Sequence, residues 1–151
     1  MEEKLLDIGS ERAVLAGLLQ YGVDVYISVS DIVTCDTFVN ENNKILFKCI
    51  EDTIQNDQKP DIATILASAT KLKLAEHITT KQELNYIKSL YDFPISESNV
   101  YNFAIQIKKF EFARNIRRLT QDIHKDVEKV SGSESIDEII NILEEPVTDF
   151  L

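Results

Sequence analysis

The side chains that could support catalysis or metal binding are few in this sequence, and they stand far apart. The two histidines, His77 and His124, lack the spacing of metal ligands, and no histidine stands near a serine that it could activate. The carboxylate pairs Glu51-Asp52 and Glu144-Glu145 fall where exposed helix faces are expected, which favours solvation over acid–base chemistry. The four glycines are isolated and form no phosphate-binding loop. We therefore expect no catalytic, cofactor-binding or metal-binding residue in this chain.

The composition is that of a globular chain, with 44% hydrophobic and 28% charged residues over 151 positions. This length is enough for one sizeable core, or for a small core with an appendage. Cys35 and Cys49 are too few for a disulfide framework or a zinc site, so we expect buried thiols in a reducing cytoplasm. No run of about 18 apolar residues and no basic-then-apolar leader occurs, so neither a membrane span nor secretion is expected.

The net charge of −10 is unevenly distributed. Residues 1–99 carry nine Lys or Arg against sixteen acids, residues 100–130 carry seven against four, and residues 131–151 carry none against six. An acidic body is a poor general ligand for phosphate backbones. A basic segment followed by an acidic one indicates complementary charge, either within the chain or between subunits.

The C-terminal third predicts a helical hairpin. From Asn99 to Val130 there is no Gly or Pro, and apolar residues recur every three or four positions, which indicates one long amphipathic helix at about 99–130. After Gly132, the sequence Ser135-Ile-Asp-Glu138 is typical of a capping box and opens a short helix at about 135–145. The short helix is expected to fold back antiparallel on the long one.

The preceding residues predict about five short helices that form a globular head. Ser10, Asn42 or Asn43, Asp61 and Thr80 are candidate N-caps, and Gly22 ends the first helix. Residues 23–33 fit either a strand or a helix; we favour the helix because no second strand-like run exists to pair with it. The expected architecture is all-α, with a head at 1–96 and a hairpin at 97–151.

The short helix cannot cover the whole apolar stripe of the long one. A helix of this length would run about 45 Å, beyond the span of a small domain, so part of the stripe must pack against another molecule. We predict that the isolated chain self-associates through apolar residues on both helices, namely Phe103, Ile107, Phe110, Ile116, Leu119, Ile136, Ile139, Ile140 and Leu143.

The order of segments resembles the N-terminal domain of the DnaB-type replicative DNA helicases, including their phage versions. Family-like segments follow one another along essentially the whole chain: Ser10-Glu-Arg-Ala-Val-Leu-Ala-Gly-Leu-Leu19, Asp36-Thr-Phe38, Ile45-Leu-Phe47, Gln58-Lys-Pro-Asp-Ile62, Asn99, Phe103-Ala104, Ile107 and Arg117-Arg-Leu119. The chain departs from the family at Asn42-Asn43, where a His is usual, and at Thr79-Thr80, where a Gly-Gly turn is usual.

The resemblance implies a collar domain that acts in DNA replication. Copies would assemble as dimers and up to a hexameric ring, with DNA passing through without tight binding and with primase or a helicase loader docking outside. ATP and magnesium would belong to a motor domain, and the sequence ends at Leu151, where such helicases begin their linker and motor. The chain is thus expected to be either a part of such a helicase or a protein without a motor, in the cytoplasm of a bacterial or phage-infected cell.

Two other functions remain open. A freestanding adaptor could bind helicase or primase without a motor of its own, and a DNA-binding regulator could use the basic face of the long helix. The basic residues scatter over more than half of the helical wheel, which disfavours the regulator. Tyr91 and Phe93, near predicted helix ends, are candidate partner-docking residues, although packing in the head core is the more common role for such aromatics.

Overall fold

The computed structural model describes residues 5–151 and contains, within that range, eight α-helices and no strand. This confirms the all-α prediction. A short 3-10 helix, Cys35–Thr37, precedes the third α-helix. The α-helices are α1 (Ile8–Tyr21), α2 (Val23–Val29), α3 (Glu41–Gln55), α4 (Ile62–Lys71), α5 (Ala75–Ile78), α6 (Lys81–Tyr91), α7 (Glu97–Glu128) and α8 (Ile136–Phe150).

The chain divides into two compact units whose boundary lies between Glu111 and Phe112. We call residues up to Glu111 the head unit and Phe112–Leu151 the hairpin unit. The boundary therefore falls within α7, further along the chain than the boundary at 96/97 suggested by the sequence. The reason is that Val100, Ala104 and Ile107, on the first half of α7, are buried in the head core.

Helix α1 is the centre of the head unit. Residues Ala13–Leu19 are buried without interruption, as expected for a helix that is apolar on every side. It contacts α2, α3 and α6, and α3 in turn contacts α4 and α5. Gly17 permits a close approach of α7, because a Cβ atom at this position would overlap both methyl groups of Val100.

Two helix starts differ from the sequence-based expectation. Asp7 caps α1 in place of Ser10, since its carboxylate accepts hydrogen bonds from the amide and the hydroxyl of Ser10 at 3.0 and 2.7 Å. Asn40 caps α3, earlier than Asn42 or Asn43, and accepts from the Asn43 amide at 3.0 Å. Helix α5 was not expected, because four residues are too short to show a periodic pattern.

Three other expected helix limits in the head unit are confirmed. Asp61 caps α4, Thr80 caps α6, and Gly22 ends α1 with a positive φ of 63°. The ambiguous segment after Gly22 is helix α2. Positive φ is readily adopted by glycine, so Gly22 allows α2 to begin directly after α1.

A buried carboxylate joins three parts of the head unit. Glu11 is 1% exposed and accepts from the Val39 amide at 2.8 Å and from the Asn43 side-chain amide at 2.9 Å. The Tyr86 hydroxyl donates to the other side of the Asn43 amide at 2.7 Å. A buried charge is tolerated only where such partners satisfy it, so this network fixes α1, α3 and α6 relative to one another.

Among residues 5–151, no helix combines the length and the apolar character that crossing a membrane requires.

Candidate functional site

The hairpin unit consists of the second half of α7, a turn, and α8. Leu119 lines a groove with Pro146 and Phe150, whereas Lys129 lines a second groove with Glu138. The N-terminal part of this half of α7 thus lies beside the C-terminal end of α8, and its C-terminal part lies beside the N-terminal end of α8. The hairpin is therefore antiparallel, as the sequence predicts.

The turn before α8 is held by backbone hydrogen bonds. The Glu134 carboxylate accepts from the amides of Ser131 and Gly132 at 3.1 and 2.9 Å, and these bonds hold its pKa below the usual range. Ser135 caps α8 by accepting from the Glu138 amide at 3.1 Å. Helix α8 continues past the expected end at residue 145 to Phe150, with Pro146 inside it.

Helix α8 is strongly amphipathic, yet none of its residues, all of which lie in the described chain, is buried. Ile136 is 76% and Leu143 is 56% exposed, and Ile140 lies on the same face between them. The second half of α7 adds Phe112, Ile116 and Val127, which are also exposed. We call this set the hairpin apolar face: Phe112, Ile116, Val127, Ile136, Ile139, Ile140 and Leu143.

The structure divides the nine residues predicted to mediate self-association into two groups. Six belong to the hairpin unit: Ile116, Leu119, Ile136, Ile139, Ile140 and Leu143. Of these, Leu119 is half-buried and the others are exposed. Phe103, Ile107 and Phe110 belong to the head unit, where Ile107 is 2% exposed. Ile107 is therefore unavailable for a contact with another molecule, because it completes the core of its own head, against which Phe103 also packs.

The nine predicted residues do not include Phe112, Val127 and Phe150, which are also exposed in the hairpin unit. Phe112 is exposed on α7 one helical turn before Ile116, and Phe150 is exposed at the end of α8. The stripe spacing could have identified Phe112, which stands four positions before Ile116. Phe150 lies beyond Pro146, where a helix is usually expected to have ended.

The two helices of the hairpin unit differ in charge: the second half of α7 carries both signs, whereas α8 is acidic. Helix α8 has five acidic residues and no Lys or Arg, and in the part of the chain that the structure describes none of these carboxylates has an ion pair: Asp137, Glu138, Glu144, Glu145 and Asp149. On α7, Lys108 bonds Glu111 at 3.0 Å within the head unit, and Lys129, just after the helix, lies 3.6 Å from Asp126. Such local pairing reduces the charge that the basic segment could offer to a phosphate backbone.

The candidate docking aromatics, Tyr91 and Phe93, are half-buried and pack against the head core. The Tyr91 hydroxyl donates to the Pro60 carbonyl at 2.6 Å, and burial raises the pKa of this phenol to about 12. The alternative role noted from the sequence, packing in the head, is therefore what the structure shows. A contact with a partner stays a prediction for the exposed remainder of these rings.

The side chains considered for chemistry remain separate. His77 and His124 are exposed and lie 3.7 and 3.4 Å from neighbouring glutamates on their own helices. Cys49 is buried, and burial raises the pKa of its thiol to about 11, which keeps it protonated and unreactive. Within residues 5–151, no three His, Cys, Asp or Glu side chains converge to form a cation site.

Comparison with known proteins gives both a family and a fold. Residues 3–109 match the family model described as the DnaB-like helicase N-terminal domain. A search of curated protein sequences finds no significant match. The fold is similar to that in the crystal structure of the N-terminal domain of DnaB helicase from Mycobacterium tuberculosis, with a TM-score of 0.80 and 15% identity, over 97% of this chain and 99% of that chain. The family match covers the head unit, and the structural match extends over the hairpin as well.

Proposed function

Because the chain belongs to the family of DnaB-like helicase N-terminal domains, we propose that it is the assembly domain of a replicative DNA helicase and that copies associate through the hairpin apolar face. The observation that carries this proposal is α8, whose apolar stripe has no buried residue. Soluble domains rarely leave such a stripe in water unless another molecule covers it.

A second copy of the hairpin is a suitable cover. In a two-fold contact, the same face is buried on both molecules, so each residue of the face contributes its free energy of burial once from each molecule. Complete burial of an Ile or Leu side chain contributes about 1.5–3 kcal/mol, and several residues of the face are about half exposed in the single chain. This gain is large enough to offset the cost of association, which is at least about 4 kcal/mol.

The remaining parts of the proposal follow from the family. Dimers would close into rings of up to six copies around DNA, in the cytoplasm of a bacterial or phage-infected cell. Primase or a loader would dock on the collar, and ATP with magnesium would bind a motor domain. Tight DNA binding by this chain is not proposed, because its acidic residues outnumber its basic ones by ten.

The test is a matched pair of substitutions on α8. Leu143→Asp places a carboxylate on the hairpin apolar face, whereas Asn141→Asp adds the same charge at an exposed polar position of the same helix. Sedimentation velocity over a concentration series should show dimers or larger species for the unmutated chain and for Asn141→Asp. For Leu143→Asp the dissociation constant should rise at least about tenfold, because desolvating a carboxylate costs more than about 1.4 kcal/mol.

Circular dichroism is the folding control, since both positions are exposed in the single chain and neither change should unfold it. A monomer at every concentration for the unmutated chain would refute self-association. Equal weakening by both substitutions would show that negative charge alone, and not the apolar face, controls the association.

A further inference from the structure

A groove on the head unit is lined by none of the residues of the hairpin apolar face. It has a volume of about 400 Å³ and lies between the start of α2 and the loop that joins α3 to α4. Apolar parts of its lining come from Tyr21, Val23, Ile54 and Pro60. Val23 is 52% exposed, and Ile27, one turn further along α2, is 69% exposed. The groove thus continues into an apolar ridge on α2.

The lining of this α2 groove is held in place by hydrogen bonds behind it. The Gln20 side chain donates to the carbonyls of Leu90 and Phe93 at 2.8 and 2.7 Å. The Tyr21 hydroxyl donates to the Ile95 carbonyl at 2.7 Å, and the Tyr91 hydroxyl donates to the Pro60 carbonyl at 2.6 Å. A preformed groove loses little conformational entropy when a partner binds.

The surroundings of the groove are acidic. No Lys or Arg occurs between Arg12 and Lys44, a stretch that includes α2 and its flanks. Asp24 and Asp31 are exposed on and just after α2, and Asp57 lines the groove. Lys59 is the one cationic residue in the lining. Glu51 of α3 accepts from the Tyr26 hydroxyl of α2 at 2.8 Å, and the exposed Lys48 lies one turn before Glu51. With these two residues included, four carboxylates against two ammonium groups give this surface a negative potential.

We propose that the α2 groove is a docking site for a basic amphipathic helical segment of another protein. Apolar side chains spaced one turn apart would fill the groove and pack on Val23 and Ile27, while Lys or Arg side chains on the flanks would face Asp24, Asp31 and Asp57. The same carboxylates disfavour a nucleic acid as the occupant. This inference is independent of the proposed self-association, because its residues all belong to the head unit.

The probe is a synthetic amphipathic helical peptide of Leu and Lys, compared with a matched peptide in which every Lys is replaced by Glu. Binding to the full chain is followed by fluorescence anisotropy. Ile27→Ser removes the ridge and Asp24→Asn removes a flanking charge; both positions are exposed. The matched controls are Leu72→Ser, at an exposed apolar residue just after α4, and Glu76→Gln, at an exposed acid of α5; neither residue lines the groove.

We expect the Leu/Lys peptide to bind and the Leu/Glu peptide not to bind. Ile27→Ser should raise the dissociation constant about fivefold or more, as truncation of an apolar anchor does. Asp24→Asn should raise it about two- to fivefold at low salt, as expected for a charge at the rim of a contact. Leu72→Ser and Glu76→Gln should leave the dissociation constant unchanged.

Three results would overturn the proposal. Absence of binding, or equal binding of both peptides, would remove the role of charge complementarity. Equal weakening by Leu72→Ser and Ile27→Ser would show that the peptide binds exposed apolar side chains wherever they lie. A loss of self-association in Ile27→Ser would identify a second copy as the occupant. Failure of the proposed self-association is detected separately, by sedimentation of the unmutated chain and of Leu143→Asp.

Discussion

A methyl group added at Gly17 tests whether the first half of α7 belongs to the head core. Gly17 lies in the middle of α1, and its missing side chain leaves room for Val100 of α7. In Gly17→Ala the new Cβ would overlap both Val100 methyl groups, and both residues are buried, which leaves little room for either to shift. Overpacking of this kind costs about 1–3 kcal/mol.

A second effect acts in the opposite direction and must be separated from the first. Alanine stabilises a helix interior by about 0.8–1.0 kcal/mol relative to glycine. Gly9→Ala, in the first turn of the same helix, provides the control, since a Cβ there meets only the Asp7 carboxylate at an ordinary 3.5 Å. The difference between the two variants in free energy of unfolding removes most of the helix-propensity effect. Gly17→Ala should therefore be less stable than Gly9→Ala by about 1–3 kcal/mol.

The assay is urea unfolding followed by circular dichroism at several protein concentrations, because self-association would otherwise add to the apparent stability. A double-mutant cycle with Val100→Ala locates the cause, since that change removes the methyl groups that Gly17→Ala would strike. The two substitutions should couple favourably by at least about 0.5 kcal/mol. Additive effects, or a Gly17→Ala variant as stable as Gly9→Ala, would show that α7 does not pack on α1 at this point.

Two further predictions concern single interactions in the head unit. Tyr91→Phe leaves the Pro60 carbonyl without its donor and should lower the free energy of unfolding by about 1 kcal/mol in urea titrations. The control is Tyr101→Phe, at an exposed position, which should have no effect. Equal effects of the two substitutions would refute the role of the hydrogen bond. Hydrogen bonds, the strongest from Lys71 and the next from Ser68, hold the pKa of Asp52 below its usual 3.8. The Asp52 carboxylate therefore stabilises the fold above pH 3.8, and this contribution is lost as the pH falls through the lowered pKa. Urea unfolding from pH 5 downward should thus show a steeper loss of stability for the unmutated chain than for Asp52→Asn, and parallel curves would contradict this assignment.

Periodicity and capping chemistry made most of the fold predictable from the sequence. They identified the helices that have a clear stripe and the caps at Asp61, Thr80 and Ser135. The first cap was assigned wrongly because Asp7 and Ser10 are both good cap residues three positions apart, and their interaction exists only once the helix forms. The sequence also could not show that Glu11 is buried, since its partners Val39 and Asn43 are brought to it by tertiary structure.

The candidate site was predictable only in part, because a stripe shows which face of a helix is apolar but not what covers it. Along α7 the apolar spacing continues from Val100 to Val127. The structure nevertheless buries Ile107 in the head and leaves Ile116 exposed. No feature of the sequence between these two residues marks the change from buried to exposed, since it depends on how far the head helices extend along α7.

Helices α3 and α8 show how the same pattern leads to different roles. Both are fifteen residues long and amphipathic. The stripe of α3 is covered by α1, α4 and α5, so that Leu46, Phe47 and Ile50 reach full burial within one chain. Within the hairpin unit, the stripe of α8 has the second half of α7 beside it, and one helix can cover only one side of another. Under the proposed self-association, a second copy would remove the remaining apolar area of α8 from water, whereas the head core is already complete within one chain.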